Sequence, residues 1–169
     1  MTETNKKTEE TFNKNVERLN KQVEETMKKA FFDLLEQKVA SNPPDYNWLT
    51  RLYTEIRDKL TKLLKPTSKL RKHILEQMDP EFFHQLISNN VFEPKSFYAL
   101  ICFVFEQCKA LGSPGRDKET DEKLKEILDH FDSGNATFAT LVPMFIKNAN
   151  YCIDNIYLDI QNLQKQISN

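Results

Sequence analysis

Glycine, cysteine and tryptophan are scarce in this chain, and the shortage of the first two argues against particular structures and chemistries. Its 169 residues include three glycines, three cysteines and one tryptophan. So few glycines argue against sheets joined by tight hairpins and against the glycine-rich loops that hold phosphates. The cysteines, Cys102, Cys108 and Cys152, are odd in number, and their spacings match no zinc motif. The sequence therefore predicts no metal site, no cofactor and three reduced cysteines in the core.

Charge of one sign and long apolar runs are also missing. The formal net charge is −1, with 24 Lys and Arg interspersed among 25 Asp and Glu, so no basic surface is predicted for a nucleic-acid partner. The most apolar run, Phe97 to Phe105, is far shorter than the ~20 residues of a membrane-spanning helix. The stretch Met1–Thr11 is polar and lacks the apolar core of a signal peptide. We therefore expect a soluble, cytoplasmic protein without a transmembrane segment.

The apolar residues that are present recur at steps of three and four, which is the period of a helix. The chain is 39% hydrophobic and 29% charged, values typical of helices with one apolar face. The sequence predicts an all-α fold in a single domain over residues 1–169, as an irregular bundle of six to seven helices. A long N-terminal helix runs from about Thr8 to Ala40, and a long C-terminal helix from about Thr137 to Gln166. Within the latter, Pro143 is expected to kink or restart the helix.

The shorter helices are predicted between proline, glycine and asparagine signals. Asp79-Pro80-Glu81 is a strong helix start, because it combines a capping carboxylate with proline at the first helical position. The only tryptophan, Trp48, is expected to anchor the core. The remaining predicted segments are Tyr46–Leu64, Lys69–Met78, Ser96–Leu111 and Arg116–Phe131.

The first part of the N-terminal helix carries a narrow apolar stripe. The stripe contains one apolar residue every three or four, which is the width of a coiled-coil seam rather than of a core-facing helix. Residues 1–28 are therefore predicted either to form a protruding arm or to pair with another copy or a partner, and both alternatives stay open. The candidate partner-binding residues on this stripe are Phe12, Val16, Leu19 and Val23.

A second candidate site is the turn Ser113-Pro114-Gly115-Arg116-Asp117. In one interpretation the turn stops one helix and Asp117 caps the next. In the other, the turn holds Arg116 so that it reaches a buried carboxylate or an acidic group of a partner. Arg116 and Asp117 are therefore the other candidate partner-binding residues.

No arrangement of residues indicates catalysis. The three histidines, His73, His84 and His130, lie on different predicted helices, and none has a second ligand at one-turn spacing. Cys102 lies in an apolar run, where burial makes a thiol inert. We therefore predict that the chain is not an enzyme. Two alternatives stay open, a cysteine nucleophile with a histidine brought near by folding, and a small apolar ligand inside the bundle.

Several motifs in fixed order resemble the T-complex protein 11 family, over roughly Met27 to Asn162. Ser113-Pro114-Gly115-Arg116-Asp117 looks like the Ala-Pro-x-Arg-Asp turn of that family. The other matching segments, in order, are Ala30–Leu35, Asn42-Pro43-Pro44-Asp45-Tyr46, Leu52–Asp58, Leu70-Arg71 and Asp79–Asn90.

The resemblance implies a helical, non-enzymatic cytoplasmic protein associated with signalling, including modulation of the cyclic-AMP and protein kinase A pathway. It supplies no catalytic or ligand-binding residues. Family members are usually much longer, so the brevity of this chain suggests a compact homologue of viral or otherwise minimal type. Our hypothesis is an adaptor or regulator that binds another protein through a helical surface. The alternative is a self-assembling structural protein, a homodimer through the N-terminal helix.

Overall fold

The fold is known from a computed structural model, which describes residues 2–168. Over these residues all regular secondary structure is helical, with seven α-helices and one 3-10 turn at Pro114–Arg116. The prediction of an all-α fold with six to seven helices and long helices at both ends is confirmed. The α-helices are α1 Thr2–Ala40, α2 Asn47–Thr61, α3 Lys69–Gln77, α4 Pro80–Ser88, α5 Pro94–Leu111, α6 Asp117–Asp132 and α7 Phe138–Ser168.

The chain divides into two compact units, Met1–Leu34 and Leu35–Asn169. The first unit consists of the larger part of α1. The second unit contains the last turns of α1, the other helices and the hydrophobic core. The stripe predicted on residues 1–28 lies in the first unit, and the assignment of residues 1–169 to one domain stays a prediction.

Local capping explains where the short helices begin. The Asp79 carboxylate accepts hydrogen bonds from the backbone N–H groups of Glu81 (3.0 Å) and Phe82 (3.3 Å), and so caps α4 as predicted. Ser68 caps α3 in the same way, accepting from the N–H of Arg71 at 3.2 Å. These caps satisfy donors that the first turn of a helix would otherwise leave unpaired.

The structure bears on expectations about two individual residues, and the kink expected at Pro143 stays a prediction. Pro143 does not restart the last helix, because α7 continues through it from Phe138 to Ser168. The proline lies in the second turn, where it removes a single backbone donor, and its ring is buried. Trp48 is half-buried, whereas its neighbour Leu49 is fully buried, and the role of Trp48 as a core anchor stays a prediction.

The core is centred on one face of α7. This helix packs against α2, α5 and α6, while α5 also contacts α2 and α6. Burial of such a stripe stabilises the bundle by about 1.5–3 kcal/mol for each large apolar side chain fully removed from water. The most deeply buried residues of α7 are Leu141, Val142, Phe145, Ile146, Ala149, Ile153 and Ile156.

The connection from α5 to α6 runs close to α7. Gly112 ends α5, and its N–H donates to the carbonyl of Cys108 at 2.9 Å. A Cβ atom at position 112 would lie 2.9 Å from that carbonyl oxygen and 3.4 Å from Cγ1 of Ile156. Glycine at this position therefore allows the chain to turn tightly against the Cys108 carbonyl at the end of α5, while Ile156 of α7 lies at ordinary van der Waals distance.

The same substitution at two positions of α7 should separate core packing from helix propensity. Ile146 is 0% exposed and Ile167 is 77% exposed. We expect Ile146→Ala to lower the free energy of unfolding by about 2–5 kcal/mol, because it leaves a cavity in the core. Ile167→Ala should change it by less than about 0.5 kcal/mol. Urea unfolding followed by circular dichroism measures both, and equal losses would contradict the assignment of the core.

Candidate functional site

The predicted apolar stripe of α1 lies on an exposed helix. Every residue from Thr2 to Phe31 is exposed, and the apolar side chains are no exception. Phe12 is 66% exposed and Leu19 is 59% exposed, values that leave most of each side chain in water. We call Phe12, Val16, Leu19 and Val23 the α1 seam. Met27, which follows the seam one turn later, is also exposed.

Packing therefore contributes little to the stability of α1 over these residues. Isolated helices are marginal in water, and most helical stability in proteins comes from burial of an apolar face. Threonine side chains of this segment bond back to the helix, for example Thr11 Oγ1 to the carbonyl of Lys7 at 2.8 Å. Such local bonds cover no apolar surface. The α1 seam is therefore an exposed apolar line, and its role in binding a partner stays a prediction.

Arg116 is engaged by carboxylates of the second unit. Its Nη2 and Nε donate to the two oxygens of Asp159 on α7, at 2.8 and 3.1 Å. Its Nη1 donates to Glu119 on α6 at 3.1 Å. A two-pronged contact of this kind is the strongest geometry that a guanidinium and a carboxylate can adopt. Arg116 therefore clamps the α5–α6 connection onto α7, and its role in binding a partner stays a prediction.

Asp117 is the first residue of α6, not its cap. The residue before the helix is Arg116, which makes no side-chain capping bond. Asp117 and Glu119 both lie in the first turn, where negative charge is favoured by the helix dipole. The side chain of Asp117 is half-buried. Its role in binding a partner also stays a prediction.

The ion pairs around Arg116 shift the pKa values of both carboxyl groups. The hydrogen bond from Arg116 lowers the pKa of Asp159. The pKa of Glu119 is lowered first by the hydroxyl of Tyr151, which donates to it, and then by Arg116. Lys123 lies 4.7 Å from the centre of the Tyr151 ring and completes the cluster. Two positive and two negative groups thus balance one another at this edge of α7.

The cysteines show no sign of activation. Burial raises the pKa of Cys108 to about 12, and burial also raises the pKa of Cys152 and of Cys102. A thiol needs a lowered pKa to act as a nucleophile near neutral pH. Among residues 2–168 no group of three or more His, Cys, Asp or Glu could hold a metal ion.

Each histidine already has a neighbour. His84 Nδ1 lies 2.7 Å from the hydroxyl of Thr50, and His130 Nε2 lies 3.0 Å from that of Thr140. The ring of His73 packs edge-on against Phe103, with 5.5 Å between ring centres. These contacts position the histidines within the bundle.

Two apolar clefts in the second unit were not located by sequence reasoning. One has a volume of about 240 Å³ and is lined mainly by aromatic rings, among them Phe92, Phe97 and Phe138. The other has a volume of about 420 Å³ and includes the exposed Phe82 and Val91. Both are open to solvent, and their linings come from separate helices. Periodicity shows which residues of one helix share a face, and it carries no information on where two helices leave a gap.

The fold defines an all-α protein of the irregular-bundle class, and comparison with known proteins identifies the family. The sequence pattern of T-complex protein 11 matches residues 4–168. The chain belongs to the T-complex protein 11 family. Among the segments that the structure describes, no helix is long and apolar enough to cross a membrane.

The similar proteins are longer than this chain. It is 29% identical over 149 residues to a T-complex protein 11 homolog of Rattus norvegicus, covering 88% of this chain and 26% of the relative. It is 31% identical over 138 residues to the homolog of Homo sapiens, covering 81% of this chain and 27% of the relative. The chain thus spans about a quarter of the length of these curated relatives. No solved structure matches it.

Removal of the Asp159 charge should make stability less dependent on pH. The folded state lowers the pKa of Asp159, so its charge stabilises the protein fully above the unfolded pKa of about 4, and the effect is lost as the pH falls from that value through the lower pKa of the folded state. We expect Asp159→Asn to be less stable than the wild type at neutral pH, with the difference shrinking towards about pH 3. Urea unfolding across this pH range measures the difference.

Asp154→Asn is the matched control for that measurement. Asp154 makes one contact, with Lys59 at 3.2 Å, and its side chain is 64% exposed. Exposed pairs contribute little, so Asp154→Asn should change stability less at every pH. An Asp159→Asn difference that stays constant across the range would contradict the role given to the ion pair.

The buried thiols should resist labelling in the folded protein. With a thiol-reactive disulfide reagent near pH 8, Cys108 and Cys152 should stay unmodified, because both are buried and their pKa values are raised. All three cysteines should react after unfolding in denaturant. Mass spectrometry of the labelled peptides identifies the modified residues, and rapid native labelling of Cys108 would revive the nucleophile hypothesis.

Proposed function

We propose that this chain is a non-enzymatic adaptor that binds another protein through the α1 seam. One observation carries the proposal, the exposure of Phe12, Val16, Leu19 and Val23 along one line of a helix that is exposed on all sides. Exposed apolar side chains are ordinary when scattered singly, whereas contiguous ones mark interaction sites.

The shape of the seam indicates a helical partner. A stripe one residue wide fits the groove of a second helix, where each apolar side chain enters a hole formed by four residues of the partner. Complete burial stabilises by about 1.5–3 kcal/mol for each large apolar side chain. Four such residues can offset part of the cost of association, which is about 4–15 kcal/mol. The chemistry therefore favours a moderate, specific and reversible contact.

The proposal excludes catalysis, cofactors and nucleic acid as the basis of function. Raised thiol pKa values and engaged histidines support the exclusion of catalysis. A net charge of −1 gives no electrostatic support for binding a polyanion.

Family membership supports a further part of the proposal, a cytoplasmic role in signalling through cyclic AMP and protein kinase A. The α1 seam is the surface that we assign to such a role. The chain spans about a quarter of the length of its relatives. We therefore propose only regulatory contacts that the residues of this matched region can make. Subunits of the kinase are accordingly the first proteins to examine among those that bind the seam.

A capture experiment with two single substitutions tests the proposal. Val16→Glu places a negative charge in the seam, whereas Thr11→Glu places the same charge on an exposed position beside it. We expect proteins from the lysate of expressing cells to bind the wild type and Thr11→Glu but not Val16→Glu, because a charge opposite an apolar groove is poorly solvated. Quantitative mass spectrometry of the retained proteins is the readout, with probes for kinase subunits.

Circular dichroism of all three proteins checks that the fold is unchanged. If Val16→Glu and Thr11→Glu retain the same proteins as the wild type, the seam is not the binding surface and the proposal fails.

A further inference from the structure

The polar residues of α1 repeat every seven positions. Glutamate occupies four positions that are seven residues apart, and a lysine follows each of these glutamates four residues later. The apolar residues follow the same register, because Val16 and Val23 share one heptad position while Phe12 and Leu19 share another. The repeating charged residues are Glu3, Glu10, Glu17 and Glu24, followed by Lys7, Lys14, Lys21 and Lys28.

A strict heptad departs from the natural period of a helix. An ideal α-helix has 3.6 residues per turn, so a seven-residue pattern drifts by about 20° per heptad around a straight helix. The pattern stays in line only when the helix supercoils about a partner. The charges at Glu3 to Lys28 that repeat every seven residues and the four apolar residues of the seam keep this period, which favours a coiled coil.

The charged repeat stabilises the helix away from the seam. Each glutamate lies one turn before its lysine, which is the favourable order, and such a pair contributes about 0.2–0.5 kcal/mol. In the heptad abcdefg, with Val16 and Val23 at a, these residues occupy b and f, the outer positions of a two-stranded coil. The seam itself is thereby left to the apolar positions a and d.

The flanks of the seam carry no charge that would oppose a second copy. In coiled coils the e and g positions select partners through their charges. Here those flanking the seam are the neutral residues Asn13, Asn15, Asn20 and Gln22. A second copy would meet no like-charge repulsion across these positions, and a partner with charged flanks would gain no ion pairs from them.

The overall charge of the first unit is compatible with pairing between two copies. Over residues 1–34 the sequence has seven acidic residues (Glu3, Glu9, Glu10, Glu17, Glu24, Glu25, Asp33) and seven basic ones (Lys6, Lys7, Lys14, Arg18, Lys21, Lys28, Lys29). The net charge of this segment is zero, so two copies do not repel each other at long range. Val16 and Val23 at a, with Leu19 at one of the two d positions, favour two strands over three or four.

We propose that the partner of the α1 seam is a second copy of this chain, and that two α1 helices form a two-stranded coiled coil centred on Phe12 to Val23. The inference rests on the proposed function in one respect, since it takes the α1 seam as the binding surface, and a second copy bound there would compete with any other protein. The apolar layers end at both sides of the seam, because Glu9 occupies the preceding a position and Thr26 the following d position. The contact is therefore short, and the dimer depends on protein concentration.

Sedimentation equilibrium of the full chain over a range of concentrations tests this inference. The wild type and Thr11→Glu should approach twice the chain mass of 19.9 kDa as concentration rises. Val16→Glu and, separately, Val23→Glu should raise the dissociation constant of the dimer by about a hundredfold or more, because each substitution places one negative charge from each copy in the seam. Circular dichroism and urea unfolding establish that the second unit remains folded in each variant.

Two results would overturn the inference, and they differ in what they imply for the proposed function. A wild type that stays at 19.9 kDa at every concentration excludes a second copy as the partner. The adaptor function would still stand if the wild type, but not Val16→Glu, captured a different protein. A dimer that persists in both valine variants shows that another surface pairs the copies. In that case the capture experiment with Val16→Glu and Thr11→Glu tests the adaptor function separately.

Discussion

The burial of one face of α7 is the constraint on which the second unit depends. Because α2, α5 and α6 all pack against this helix, residues such as Ile146 and Ile153 are shielded from water on every side. Polar contacts are added at the margins of that face. The hydroxyl of Tyr157 donates to the carbonyl of Lys59 on α2 at 2.5 Å, and Asp159 holds Arg116. Hydrophobic burial thus supplies most of the stability, while the polar contacts fix the register of neighbouring helices.

The two candidate sites use charge in opposite ways. At the Arg116 turn, charges from three parts of the second unit neutralise one another, and their bonds are satisfied within the chain. Along α1 the charges lie away from the apolar line, and that line is exposed. Satisfied charges stabilise a fold, whereas exposed apolar surface favours association. The α1 seam is therefore the stronger basis for a binding function.

Local sequence signals predicted the helices well, and contacts between distant residues escaped them. The cap at Asp79 needs only the next three residues, so it could be identified without a structure. The partner of Arg116 is Asp159, 43 positions later, and nothing in the turn motif indicates which carboxylate it reaches. The half-burial of Trp48 likewise depends on how α2 is rotated. The width of the α1 seam was apparent from apolar spacing, but the heptad of charges required the polar residues to be aligned as well.

The glycine between α5 and α6 affects the connection that carries Arg116. At position 112 the side chain is one hydrogen atom, and a methyl carbon there would lie 2.9 Å from the carbonyl oxygen of Cys108, which is too close for the two atoms. Arg116 follows four residues later on the same connection, and its guanidinium donates two hydrogen bonds to Asp159. A side chain larger than hydrogen at Gly112 would therefore displace the start of the segment that brings Arg116 to its ion pair on α7.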